Sequence, residues 1–269
     1  MTGDIRKVLL AEKVKLRRKR TTWTVPAAAA VMTFLVFLAV AYAAARDWAG
    51  IPSGFYLTSS TTGWMINVLG LLAMIITCFQ ISGEYALGTV KPAWVKGLSR
   101  HGWFSGKIVS ACIAVTALFL IVIAVSLVSA AARYGFTDLK EKDYVIHTAS
   151  ALWRGYLLGA FLTMFSLWAV VTVTSMLASH LNRPGSAIAV AVLLAVALTV
   201  VAVFKPARPF LLTSAISLPF EQMTAMSKGL PLPLEWGDLV WRTLACGGGW
   251  MAASFAVGHM IIARKEITF

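Results

Sequence analysis

The sequence predicts an all-α integral membrane protein: six transmembrane helices, both termini cytoplasmic, and an N-terminal amphipathic interfacial helix before the first span. Three observations carry this. Of 269 residues, 59% are hydrophobic and only 13% charged, with a mean hydropathy of +0.78, whereas about a quarter of a soluble chain is charged. Runs 21–45, 48–83, 108–132, 155–182, 184–204 and 243–263 contain no Asp, Glu, Lys or Arg, and a helix crosses the hydrocarbon core with about 20 apolar residues. The 24 Lys and Arg residues are also unevenly distributed. With the N-terminus inside, most of them fall in cytoplasmic flanks and loops, and most acidic residues fall outside, as the positive-inside rule requires.

Residues 3–20, "GDIRKVLLAEKVKLRRKR", form the expected interfacial helix. Ile5, Val8, Leu9 and Leu16 share one side, and Glu12 interrupts it. Such a helix lies along the inner leaflet with its basic face toward anionic headgroups, or serves only as a topogenic anchor. The first span is expected at about 24–45. It is too long for the h-region of a cleavable signal, which is about 7–15 residues. The second charge-free run exceeds one crossing. Its front half, "WAGIPSGFYLTSSTTG", is rich in Gly, Ser and Thr and reads as an external loop, leaving a helix at 64–82. Residues 83–107 form a long basic cytoplasmic loop before the third span, 108–132. A short charged external connection leads to the fourth span, 153–179. Pro184-Gly185 punctuates a tight turn before the fifth, 187–204. The external segment 205–238 includes a piece, 210–226, too short and polar to span, which suits a short interfacial or re-entrant helix. The sixth span is 239–263. The runs lack the alternation of barrel strands.

Several chemistries are excluded. A phosphate-binding loop needs Gly-x4-Gly-Lys-Ser/Thr. The nearest string, "HGWFSGKI", has His101 at the first Gly position and Ile108 at the last, so no ATP site is encoded. Cys78, Cys112 and Cys246 lie in spans without metal-ligand spacing and read as packing residues. No catalytic residue, metal site or bound cofactor is expected. Mid-span charges, which mark ion relays, are nearly absent, and this counts against an ion-coupled secondary transporter. The basic charge reads as topology, with no nucleic-acid partner. On the second span Asn67, Gly70, Met74, Thr77 and Cys78 share a helical face. Asn67, Met74 and Thr77 form a candidate translocation-cavity lining, or hydrogen-bond a neighbouring helix.

The loop 84–107, "EYALGTVKPAWVKGLSRHGWFSGK", supplies Glu84, Gly88-Thr89, Ser99-Arg100 and Gly106-Lys107 in that order. This order resembles the ABC-2-type permease family, the membrane subunits of ATP-driven exporters. Glu12, Lys15 and Leu16 resemble the family's N-terminal Glu-x-x-Lys-Leu segment. Pro92 and Gly97 depart from it, standing where relatives carry Leu-rich helix. Pro is best tolerated in a first helical turn, which would start the coupling helix near Pro92 and anchor it through Trp94. The resemblance implies a single permease domain over 1–269 in a bacterial plasma membrane. It implies pairing with a second copy or a paralogous permease, and with separate ATPase subunits that hold the ATP and Mg. Glu84, Gly88, Thr89, Trp94, Ser99, Arg100 and Lys107 would form the ATPase-coupling loop, with Glu84 paired to Arg100 or a nearby Lys. The implied cargo is a hydrophobic or amphipathic drug, antimicrobial peptide or lipid, which would link the chain to antibiotic resistance. A structural or regulatory polytopic membrane protein is the alternative.

Overall fold

The computed structural model describes residues 2–18, 21–47, 53–95, 97–141, 144–204 and 206–265. Lys19 and Arg20 of the expected 3–20 helix lie outside them, as does Lys96. Among the described residues, helices dominate: α1 Thr2–Arg18, α2 Thr21–Asp47, α3 Gly54–Ala86, α4 Val90–Val95, α5 Arg100–Ala131, α6 Ala149–His180, α7 Pro184–Val201, α8 Leu212–Ser227 and α9 Trp236–Arg264. Six of them, α2, α3, α5, α6, α7 and α9, are long and apolar enough to cross a membrane. The chain is a multi-pass membrane protein. α6 is the most buried span and packs against α9, α8 and α3, whereas α7 is the least buried. The start of α1, the turn around α4 and the end of α9 share one end of the bundle, here called the basic end.

Three expected boundaries change. The second span begins at Gly54 rather than near Trp64, so the Gly/Ser/Thr-rich stretch from Gly54 onward is helix and not loop. Ser53 caps it by accepting from the Tyr56 amide at 3.2 Å. The hydroxyls within it are satisfied locally, Thr58 donating to Gly54 O at 2.8 Å and Ser59 to Tyr56 O at 3.1 Å. Phe55 packs edge-on against Phe136 and Trp153. Buried hydroxyls that bond back to carbonyls make this polar segment compatible with a packed helix.

The loop 83–107 is mostly helix. α3 continues through Ala86 and α5 begins at Arg100, well before the expected start at 108, leaving a turn around the short α4. α4 starts at Val90 and places Pro92 in its first turn, where the missing amide costs nothing.

The segment 205–238 contains a 3-10 turn, Arg208–Phe210, and then α8. α8 begins beside the middle of α6, where Ser166 donates to Ala215 O at 3.0 Å, and ends beside the first turns of α3, where Ser59 meets Ser227 at 3.3 Å. Gly155 and Gly159 face it. A Cβ on Gly155 would lie 3.2 Å from the sulfurs of Met223 and Met226, and one on Gly159 would lie 3.4 Å from Pro219 O. Small residues permit this close crossing. Between α5 and α6 a two-stranded antiparallel hairpin, β1 Leu139–Glu141 and β2 Tyr144–His147, occupies the opposite end of the bundle.

Candidate functional site

The basic end is built from three consecutive signals. α3 ends in a turn where Thr89 N donates to Glu84 O at 3.0 Å and Gly88 N to Tyr85 O at 3.1 Å, with Gly88 at φ +67°. That left-handed cap is why a Gly stands there. α4 ends the same way, Leu98 N donating to Ala93 O and Gly97 N to Trp94 O, with Gly97 at φ +84°. Ser99 then caps α5 by accepting from Gly102 N at 3.1 Å. Pro92 and Gly97, the two departures from the family pattern, therefore lie in the first turn and just past the end of a six-residue helix.

α1 is seated against the first turns of α5. A Cβ on Gly102 would lie 2.5 Å from Asp4 Cβ, and one on Gly106 would lie 2.7 Å from Val8 Cβ. Asp4, Val8 and Glu12 thus descend along α5 at four-residue spacing. Asp4 accepts from the Ser99 hydroxyl at 2.6 Å, and this bond holds its carboxyl below the usual range. Glu12, the residue that broke the apolar face of α1, is buried and meets Lys107 Nζ at 2.6 Å.

Lys107 is 2% exposed and lies 2.6 Å from both Glu12 and Glu84. Lys15 also reaches Glu12, at 3.1 Å, and Glu84. Burial disfavours the Lys15 charge, but the bonds to Glu84 and Glu12 outweigh it and raise its pKa. Trp103 Nε1 donates to the other oxygen of Glu84 at 3.2 Å. Two carboxylates and two ammonium groups therefore join α1, α3 and α5 in one neutral cluster. A buried charge is tolerable only when paired and hydrogen-bonded in this way.

Arg100 does not pair with Glu84. Its guanidinium donates to Ala263 O at 3.0 Å and Lys265 O at 3.1 Å, and lies over the Trp94 ring at 5.0 Å. It caps the end of α9, where carbonyls lack helical partners. Lys265 extends the same latch. Its Nζ donates to Ser179 O at 2.5 Å and lies 3.7 Å from the Tyr85 ring centroid; burial pushes its pKa down to about 8. Beside it, His101 Nδ1 and His259 Nδ1 lie 2.8 Å apart, and His259 Nε2 meets Ser105 Oγ at 3.2 Å.

Of the residues expected in the coupling loop, Glu84, Trp94, Ser99, Arg100 and Lys107 come together in this junction, and Gly88 and Thr89 shape the turn leading into it. Trp94 is half-buried and stacks edge-on to Trp103 at 6.1 Å. The exposed apolar side chains here are Leu87 at 77% and Val95 at 88%. The three residues of the expected cavity face have different surroundings. Asn67 is exposed, and Thr77 is buried and donates to Ala73 O at 2.7 Å. Met74 lines a small space between α6, α7 and α8. Sequence reasoning missed Asp4, Trp103 and Lys265 as members of the junction. The available signal was Glu12 on an apolar helix face, since a carboxylate there demands a buried cation.

Among the described residues no group of three or more His, Cys, Asp or Glu is placed to hold a metal. No curated protein matches the chain. Residues 20–268, which include all six long helices, match the family described as protein of unknown function (DUF2705), and the chain belongs to that family.

Proposed function

We propose that the chain is the membrane-spanning permease subunit of an ABC-type exporter, working with separate ATPase subunits and with a second copy or a paralogous permease. In this reading the basic end faces the cytoplasm of a bacterial cell and α1 lies along the inner leaflet. The observation that carries it is the build of the α3–α4–α5 turn. Leu87, at the end of α3, and Val95, at the end of α4, project uncovered from a turn whose two flanking spans are tied by the Glu84–Lys107 pair. A push on α4 would move α3 and α5 together, and α1 with them through Glu12 and Asp4. The order of Glu84, Gly88-Thr89, Ser99-Arg100 and Gly106-Lys107, which resembles the ABC-2 pattern, adds support. The cargo that suits so apolar a bundle is a hydrophobic or amphipathic drug, antimicrobial peptide or lipid. A structural or regulatory membrane protein is the second reading. It is favoured by the fact that the caps, the turn glycines and the ion pairs all have local folding roles.

The test is co-expression with candidate ABC ATPase subunits, affinity purification and vesicle transport assays. The permease reading expects a stable complex whose ATPase activity responds to cargo. It expects Val95→Asp to release the ATPase without unfolding the chain, and Arg100→Glu to retain the complex but uncouple hydrolysis from transport. Full transport by a correctly assembled Arg100→Glu variant would reject the coupling role, and failure of any ATPase to associate would favour the second reading.

A further inference from the structure

A groove of about 800 Å³ runs along α9 beside the 3-10 turn. That volume falls in the range of about 300–1,000 Å³ typical of small-molecule sites. Its floor is Ala245, Gly249 and Ala253, and its walls include Phe210, Trp241 and Trp250. Trp250 Nε1 donates to Phe210 O at 3.2 Å, which fixes the turn against α9 and makes the wall part of the fold. Arg242 lies at the end nearer the start of α9. At 1.5 Å per residue the trough from Arg242 to Ala253 is about 17 Å long, and it lies within a membrane span.

The charge at its head is unbalanced. The neighbouring Arg208 is matched by Glu221 at 3.1 Å. Arg242 forms no ion pair among the described residues, although Asp238 lies one turn before it. Arg242 also lines a second cavity of about 230 Å³ together with Arg208 and Pro209, so the guanidinium stands where two spaces meet. A cation above an apolar trough, flanked by exposed Trp241 and Phe210, is complementary to an amphiphile with an anionic head and a hydrocarbon tail. Guanidinium binds phosphate through paired, charge-assisted hydrogen bonds.

We propose that this groove is a binding site for an anionic phospholipid of the surrounding bilayer, with one acyl chain along Ala245, Gly249 and Ala253 and the phosphate at Arg242. The site does not depend on the chain being a permease. The full chain is reconstituted in vesicles of equal parts dioleoyl-phosphatidylcholine and dioleoyl-phosphatidylglycerol, extracted in mild detergent and read by native mass spectrometry. Phosphatidylglycerol should be retained over phosphatidylcholine by about fivefold, since one cation near an anionic headgroup contributes about 1 kcal/mol. Arg242→Gln should bring that preference to parity. Gly249→Leu, whose side chain enters open space, should lose bound lipid of both kinds while keeping the wild-type melting temperature; Ala253→Leu is the second groove-filling variant. Unchanged retention in both groove-filling variants, or unchanged preference in Arg242→Gln, overturns the site. So does a change of oligomeric state in Gly249→Leu without loss of lipid, which would assign the groove to a second copy of the chain.

Discussion

The two ends of the bundle are held by different chemistry. At the basic end, α1, α3 and α5 meet through buried charges, with Lys107 shared by Glu12 and Glu84. Toward the hairpin, α3, α5, α6 and α8 meet through hydroxyls. Thr62 reaches Ser126 at 3.3 Å and Tyr156 at 3.5 Å, Ser59 reaches Ser227 at 3.3 Å, and Ser166 donates to Ala215 O at 3.0 Å. Many of these hydroxyls also have a carbonyl of their own helix within reach. Ser166 donates to Leu162 O and Ser126 to Ile123 O, so each contact can be lost at little cost. Lys107 has no such fallback. The charged end is therefore held by pairs with no local substitute, whereas the hydroxyl contacts have one.

The sharpest way to break this contrast is to remove the shared cation. Lys107→Met should destabilise the protein by about 3–5 kcal/mol, because two buried carboxylates are left to share the half-exposed Lys15. Thermal unfolding in detergent measures this. Adding Glu12→Leu and Glu84→Gln should recover most of the loss, which a simple packing defect would not do.

A smaller effect is expected at the α9 latch. The docked Lys265 has its pKa pushed down to about 8, against an ordinary 10.5. Between those values the released tail holds a proton that the docked tail does not. Docking therefore strengthens as pH rises through that window and is level below about 8. Hydrogen exchange in the last turn of α9, corrected for intrinsic rate, should slow over this range, and Lys265→Gln should abolish the trend. The smallest effect belongs to the hydroxyl end. Tyr156→Phe should cost under about 1 kcal/mol, as interhelical hydrogen bonds in membranes average about 0.6. A loss from Tyr156→Phe equal to that of Lys107→Met would erase the distinction.

The same contrast governs what could be read from sequence. The six spans were visible because absence of charge is a direct statement about hydrocarbon. The start of α3 was not. Ser59, Thr61 and Thr62 look like loop residues until one knows they are buried. Burial inside a bundle is a tertiary fact that hydropathy does not carry. The junction was half legible. Glu84, Ser99, Arg100 and Lys107 stood out by order, but their partners lie far away in the chain. Arg100 turned out to serve the carbonyls of α9 rather than Glu84, and backbone acceptors leave no mark in a sequence. The Gly102 and Gly106 seat for α1 was hidden because a glycine's role depends on which helix crosses it.

Lys107 also sets a timetable. Its partner Glu12 precedes it by 95 residues. A ribosome adds about 5–20 residues per second, so Glu12, with Lys15 already one turn away, waits on the order of 5–20 s for the buried Lys107 to be synthesised. During that interval the first helix has neither its glycine seat nor its buried cation. α1 therefore closes the basic end only after α5 has begun to emerge.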